Sequence, residues 1–329
     1  MAIPGIIAEE SSRFSRRAEA AKITIDDARS AARVFFPKDP PCAAVSLSGG
    51  FSNANFQIES MDTRYVLRFF WAGPQTAERE LSVLRMVAER GVSVPRVFDY
   101  RVCDGHAVGL IEFIEGEVLS EALRVSPDQV TRLMARVGEQ LGRAHRVTFE
   151  SAGLFDSEVR VDRKFADFPQ AALEHVLNLR DGRVDARLGA EKTKRLHELV
   201  RWFWPEVRKA YDRPTLTHCD FNPKNILIDP SGMPRIIDWE FAMAADRMID
   251  IGNFFRFEQE DYPAGGRQAF VEGYEISGPT LPQNWERAAK LMDLANMVDF
   301  LGVEADYTET FHTARTIVDR TFSYFSWDQ

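Results

Sequence analysis

Between Ala43 and Phe113 the apolar residues fall in short runs separated by small and polar residues, a pattern that predicts strands. Ala43 to Leu47, Phe56 to Ile58 and Tyr65 to Phe70 read as three strands. The first two are joined by the small-residue segment Ser48-Gly49-Gly50-Phe51-Ser52-Asn53-Ala54-Asn55. Leu81, Leu84, Val87 and Ala88 then recur at helical spacing, and Gly91 ends that helix. Two more strands fit around Arg96 to Val102 and Ala107 to Phe113. Upstream, Thr24 followed by Asp27 resembles a helix start, with Ala28 to Phe36 carrying the helix and Pro37 stopping it. The first twenty or so residues are polar and are expected to be frayed or loosely docked.

After Glu115-Gly116 the period lengthens. Val130 to His145 is amphipathic, with Leu133, Val137 and Leu141 in register, and Lys192 to Tyr211 is a second helix. Strands return briefly at Thr215 to Thr217, Ile226 to Ile228 and Arg235 to Ile237, with Asp229-Pro230-Ser231-Gly232 as the turn between the last two. From Ile249 onward the pattern is helical again. No internal repeat interrupts this order. The prediction is an α+β chain of two lobes, a β-rich one over Met1 to Ile114 and a larger, mostly helical one over Glu115 to Gln329.

Composition narrows the function. With 45% hydrophobic and 28% charged residues, a disordered chain or a disulfide scaffold is excluded as a description of the whole. A net charge of −9 argues against a nucleic-acid partner. Met1 to Ile114 is balanced, so the acidic excess lies in the helical part, where Ile251 to Gln329 alone holds 6 basic and 13 acidic residues. That acidity could hold a cationic ligand by charge complementarity; the competing reading is a solvated acidic helical surface. Cys42, Cys103 and Cys219 match no metal or redox spacing, which suits a reduced, cytoplasmic chain. Met1 to Ala8 lacks the basic start of a signal peptide, and no apolar run is long enough for a membrane helix.

The stretch richest in chemistry is Thr217-His218-Cys219-Asp220-Phe221-Asn222-Pro223-Lys224-Asn225, followed after the hairpin by Ile236-Ile237-Asp238-Trp239-Glu240. Phosphoryl transfer needs one carboxylate facing the attacking hydroxyl, and a carboxylate and an amide to hold Mg²⁺ against nucleotide phosphates. Asp220 is the candidate base. Asn225 and Asp238 are the candidate metal ligands, since the hairpin returns Asp238 to the side of Asn225. The competing reading is that Asp220, Asn222 and Asn225 merely cap a turn. Gly49 and Gly50 sit where a backbone could approach phosphates. Arg68 is a cation inside an apolar strand, and Glu78 or Glu80 could pair with it.

In this order, the Gly-rich turn, Tyr65-Val66-Leu67-Arg68, Arg79-Glu80, Glu112-Phe113-Ile114-Glu115-Gly116, H-C-D-F-N-P-K-N and I-I-D-W-E make the chain resemble the aminoglycoside phosphotransferase and choline kinase-like group of small-molecule kinases, relatives of protein kinases. The resemblance implies a protein kinase-like fold, ATP and Mg²⁺ as cofactors, and a small-molecule hydroxyl as acceptor. It implies Arg68 on the α and β phosphates, held by Glu80, with Ser52 and Asn53 over the phosphates and Glu112, Phe113 and Ile114 along the adenine edge. His218 becomes a support of the loop, and Asp250 ties the metal segment to the helical lobe. The chain departs from the group in having Cys219 where Gly is common and Arg68 where Lys is usual. Glu240, Glu258, Asp261 and Asp293 are candidates to face the acceptor, together with Trp285 and Asp299. His145 reads as a buried, hydrogen-bonded packing residue. A protein Ser/Thr kinase of the same fold and a non-catalytic nucleotide-binding module are the alternatives. The absence of an A-P-E segment disfavours the first, and the full set Asp220, Asn225 and Asp238 disfavours the second.

Overall fold

A computed structural model of the chain describes residues 23–41, 43–47, 53–124, 127–178, 182–257, 265–302 and 308–327. Thr24 caps helix α1 (Ile25–Phe35): its hydroxyl accepts from the Asp27 N–H at 3.2 Å, and the Asp27 carboxylate accepts from the Thr24 N–H at 2.7 Å. This reciprocal pair satisfies two donors that a helix start leaves open.

Strands β1 (Ala44–Leu47), β2 (Ala54–Ser60), β3 (Thr63–Phe70), β4 (Val97–Cys103) and β5 (His106–Glu112) form one antiparallel sheet in the order β1-β2-β3-β5-β4. Side chains alternate across its two faces. Leu67 and Phe69 of β3 pack with Ala28, Ala31 and Ala32 of α1. Phe70 joins the other core with Leu81 and Leu84 of helix α2 (Pro74–Glu89). Arg68 shares the parity of Phe70, so the strand period itself turns it toward α2. The buried stripe of α2 runs through Ala77, Glu80, Leu81, Leu84 and Val87, while Ala88, predicted to lie on that face, is exposed.

The helical part begins after β6 (Glu117–Val118) and the short α3 (Leu119–Ala122). Helix α4 (Pro127–His145) leads to strands β7 (Gly153–Phe155) and β8 (Val161–Lys164), and then to α5 (Phe168–Asn178), α6 (Arg183–Leu188) and α7 (Ala190–Ala210). Strand β9 (Thr215–Thr217), the hairpin β10 (Ile226–Ile228) and β11 (Pro234–Ile236), and β12 (Met243–Ala245) frame the candidate chemistry of the sequence. Helices α8 (Met248–Phe254), α9 (Gly266–Ser277), α10 (Trp285–Gly302) and α11 (Thr308–Tyr324) complete the fold.

The hairpin register pairs Ile226 with Ile236, which returns the chain to the side of Asn225 as the sequence predicts. Helix α9 crosses α4 closely: a Cβ added to Gly273 would lie 1.9 Å from the Ala135 carbonyl oxygen. Helix α8 is buried along its whole length and packs against α10. Strands β6, β7, β8 and β12 and helices α3, α5 and α6 were not predicted; strands of two to four residues offer few alternations to show a period, and β10 and β11 were legible from the turn between them. Among the described residues, no helix is long and apolar enough to cross a membrane.

Candidate active site

The loop between β9 and β10 carries His218, Asp220, Asn222 and Asn225, and α8 holds it from behind. Asp250, in the first turn of α8, is completely buried. Its Oδ2 accepts from the His218 backbone N–H at 2.7 Å and meets His145 Nε2 at 3.1 Å, and its Oδ1 accepts from the Cys219 N–H at 2.7 Å. A carboxylate out of water needs such bonds to remain there. His145 Nδ1 meets the Tyr274 hydroxyl at 2.8 Å. Burial holds His145 below the usual imidazole range and pushes the Tyr274 phenol well up. Tyr274 therefore donates to Nδ1, and Nε2–H donates to Asp250. His145 is thus the packing residue expected. One turn along α8, Asn253 Nδ2 donates to the Cys219 carbonyl at 3.1 Å. Sequence reading passed over Asn253; its place three residues after Asp250, on the same helix face, was the available signal.

His218 donates from Nε2 to the Ile237 carbonyl at 2.9 Å, and its Nδ1 accepts from the Asp220 N–H at 3.3 Å. It ties the loop to the end of the hairpin. Cys219 has φ +65°, a left-handed backbone that costs a non-glycine residue roughly 1–2 kcal/mol. This accounts for the glycine common at the position in the resembling group. Cys219→Gly is expected to raise stability by up to about 1 kcal/mol, offset in part by the lost contact of Sγ with Thr217 Oγ1 at 3.2 Å. Chemical denaturation measures this, and a less stable variant would show that the thiol contact outweighs backbone strain.

The Asp220 carboxylate accepts from Asn222 Nδ2 at Oδ1 and from Asn225 Nδ2 at Oδ2, each at 2.9 Å. Because an ionised carboxylate can only accept, it fixes the Asn225 amide with Nδ2 toward Asp220 and Oδ1 on the side away from it. The Asn225 carbonyl accepts from the Ile237 N–H at 3.0 Å, so Asp238 follows directly beside it. Asp238, at φ +66°, takes a bond from Arg68 Nη2 on Oδ1 at 2.6 Å. The same nitrogen lies 2.9 Å from Glu80 Oε1, which selects Glu80 over Glu78 as the partner. Burial alone would lower the Arg68 guanidinium, but Glu80, Asp238 and Glu240 hold it above its ordinary value, so it stays charged. Burial pushes the Glu80 carboxyl up, and Arg68 only partly restores it.

Three buried polar atoms of this region have no partner among the described residues: Arg68 Nε, Glu80 Oε2 and Asn55 Oδ1. Asn55 stands opposite Arg68 in the β2–β3 register. A buried, unsatisfied guanidinium N–H suits an anionic oxygen such as a phosphate. Asn225 Oδ1 and the Asp238 carboxylate are hard oxygen donors of the kind Mg²⁺ takes, one or two from protein and the rest from phosphates and water. Among the described residues, no three His, Cys, Asp or Glu side chains gather as a metal cage. A phosphate-borne Mg²⁺ requires none.

Glu240 is buried, and its Oε2 accepts from Asn53 Nδ2 at 3.2 Å. Glu112 uses its backbone N–H on the Arg96 carbonyl and its side chain on the Arg96 N–H and on Arg235, at 2.9 and 2.7 Å. The Arg64 guanidinium lies over the Phe113 ring, 4.8 Å from its centre, and Ile114 is half-buried in the linker between β5 and β6. Gly49, Gly50 and Ser52 lie outside the described residues, as do Cys42, Glu258 and Asp261 and the first twenty-two residues.

Asp293 accepts from Arg256 Nε at 3.0 Å, and Asp299 is buried against His175. Asp293, Arg256 and Trp285 also line a cavity of about 610 Å³ between α8, α10 and α11, where Lys290 and Arg320 stand beside Glu286 and Asp319. Charges of both signs line this wall, so the acidity of the last eighty residues is not concentrated there.

The model of the phosphotransferase enzyme family matches residues 44–291. Homoserine kinase of Zymomonas mobilis is 24% identical over 244 residues, covering 70% of this chain and 71% of that protein. Among solved structures, aminoglycoside phosphotransferase APH(4)-Ia superposes with a TM-score of 0.64 at 16% identity, covering 92% of this chain and 99% of its own. Choline kinase LicA from Streptococcus pneumoniae gives 0.61 at 14%, covering 91% and 99%. These likenesses show the fold, the two-lobed kinase-like α+β architecture.

Proposed function

Since the chain belongs to the phosphotransferase enzyme family, we propose that it transfers the γ-phosphoryl group of ATP to a hydroxyl of a small molecule. The observation that carries this reading is a pair of carboxylates on either side of Asn225 with different surroundings. Asp220 is held by two amides, and Asp238 is held by a guanidinium. The first suits a group that must take a proton from a hydroxyl. The second suits a group that must stay ionised beside a cation.

In this reading Asp220 orients the acceptor hydroxyl and takes its proton as the oxygen attacks. Asn225 Oδ1 and Asp238 would hold Mg²⁺, which when bound offsets charge on the phosphate oxygens. Arg68, fixed by Glu80, adds a permanent positive charge at the phosphates. Gly49, Gly50 and Ser52 are assigned to the phosphate-covering turn, and Phe113 and Ile114 to the adenine edge. Residues 1–114 form the nucleotide lobe and 115–329 the catalytic and acceptor lobe. The break falls in the linker between β5 and β6. Catalysis rests on positioning and on charge already in place. Such chemistry belongs in the cytoplasm, where ATP is supplied.

The acidic carboxy-terminal region favours a cationic acceptor such as an aminoglycoside or an amino alcohol. The names of the relatives add homoserine and choline to the candidates. ADP release from Mg-ATP, measured across aminoglycosides, choline, ethanolamine, homoserine, methylthioribose, macrolides and simple sugars, tests this. Release that depends on one class identifies the acceptor. Faster release with neutral sugars than with amines would overturn the cationic preference.

A further inference from the structure

Two bonds cross from the sheet to the segment Asp238–Glu240, one from Arg68 to Asp238 and one from Asn53 to Glu240. They differ in what a nucleotide would do to them. A guanidinium drawn to phosphate has to share or release the carboxylate it holds. The Asn53 amide, which the resemblance sets over the phosphates, has both its nitrogen and its oxygen engaged within the protein. Its Nδ2 donates to Glu240 Oε2, and its Oδ1 accepts from the Trp71 N–H, each at 3.2 Å. One planar group thus joins three places. Asn53 directly precedes β2, Trp71 directly follows β3, and Glu240 stands two residues beyond Asp238. Asn53 and Glu240 are only 9% and 7% exposed, so water competes weakly for the bond.

We propose that Glu240, acting through Asn53, is a positioning residue that keeps the sheet in register with the metal-binding segment while Arg68 turns to the phosphates. The inference rests on the reading of the cleft as a Mg-ATP site. It gives Glu240 a hydrogen-bonding role beside its charge near Arg68, so most of its effect on binding follows the acceptor oxygen.

Calorimetric titration of Mg-ATP into the whole protein tests this, using Asn53→Ala, Glu240→Ala, their double variant and Glu240→Gln. An unfolding midpoint is recorded for each. Each alanine variant is expected to weaken Mg-ATP binding by about 10-fold, the loss of one partly buried hydrogen bond. The double variant is expected to be no weaker than the worse single one, because both remove the same contact. Glu240→Gln, which keeps an oxygen for Asn53, is expected to recover to within about 3-fold of the wild type. Additive losses would overturn the inference. So would a Gln variant as weak as the Ala variant, or a lowered midpoint with unchanged affinity. Wild-type protein that binds no Mg-ATP would overturn the kinase reading itself. Wild type that binds, with variants that match it, would overturn this inference alone.

Discussion

Asp220→Asn is expected to lower turnover by about 10²–10⁴-fold, the usual contribution of a positioned general base, while Mg-ATP still binds. The structure also shows why a second variant belongs beside it. Both Asp220 oxygens accept from side-chain amides, Asn222 on one and Asn225 on the other. An asparagine at 220 would set an NH₂ group against one of them and force an amide to turn. If Asn225 turned, its Oδ1 would leave the metal side. Asp220→Ala removes the acceptors without adding a donor. Loss of turnover in both variants, with Mg-ATP affinity retained in the alanine variant, assigns the loss to the base. Turnover near wild type in Asp220→Ala would take Asp220 out of the mechanism.

Arg68→Ala is expected to act on both binding and stability. Removing a charge-assisted partner of the phosphates should raise the ATP requirement by about 100-fold. It also strips Glu80, 2% exposed, of its counter-charge. Breaking a buried pair from one side typically costs 3–5 kcal/mol, and about 3 is expected here because Glu80 can take up a proton instead. That escape gives the loss a pH dependence. Burial raises the Glu80 carboxyl above its ordinary 4.5, and without Arg68 it must rise further. A carboxyl raised in the folded state contributes stability that is fully present below its unfolded value and is lost as pH rises through the folded value. The gap in melting temperature between wild type and Arg68→Ala should therefore widen from about pH 5 to about pH 8. A gap that narrows over that range would mean that Glu80 is not the stranded group.

The candidate catalytic stretch was legible because its members lie within a few residues of one another. His218, Asp220 and Asn225 share one loop, and the turn residues Asp229 to Gly232 announce the hairpin that brings back Asp238. The pairing of Arg68 was half legible: a cation in an apolar strand requires a partner, but only the strand parity and the helix phase choose Glu80. Contacts between distant segments left no trace. Asn53 and Glu240 are 187 residues apart, and neither carries a local signal of the other. His145 and Asp250 were each noticed, yet their contact depends on the packing of α4 against α8 and β9. Cys219 was visible in the sequence only as a departure from the glycine common in the group. Its positive φ, a property of the backbone, is what makes glycine the easier residue there.

The central claim is transfer of a phosphoryl group to a hydroxyl with Asp220 as the base. The most direct test takes the acceptor that releases ADP fastest and determines, by mass and by ³¹P resonance, what becomes of the phosphorus. One phosphoryl group is expected on an acceptor oxygen, formed one for one with ADP and absent with Asp220→Ala. ADP accompanied by free phosphate and an unmodified acceptor, or equal product from the Asp220→Ala protein, would contradict it.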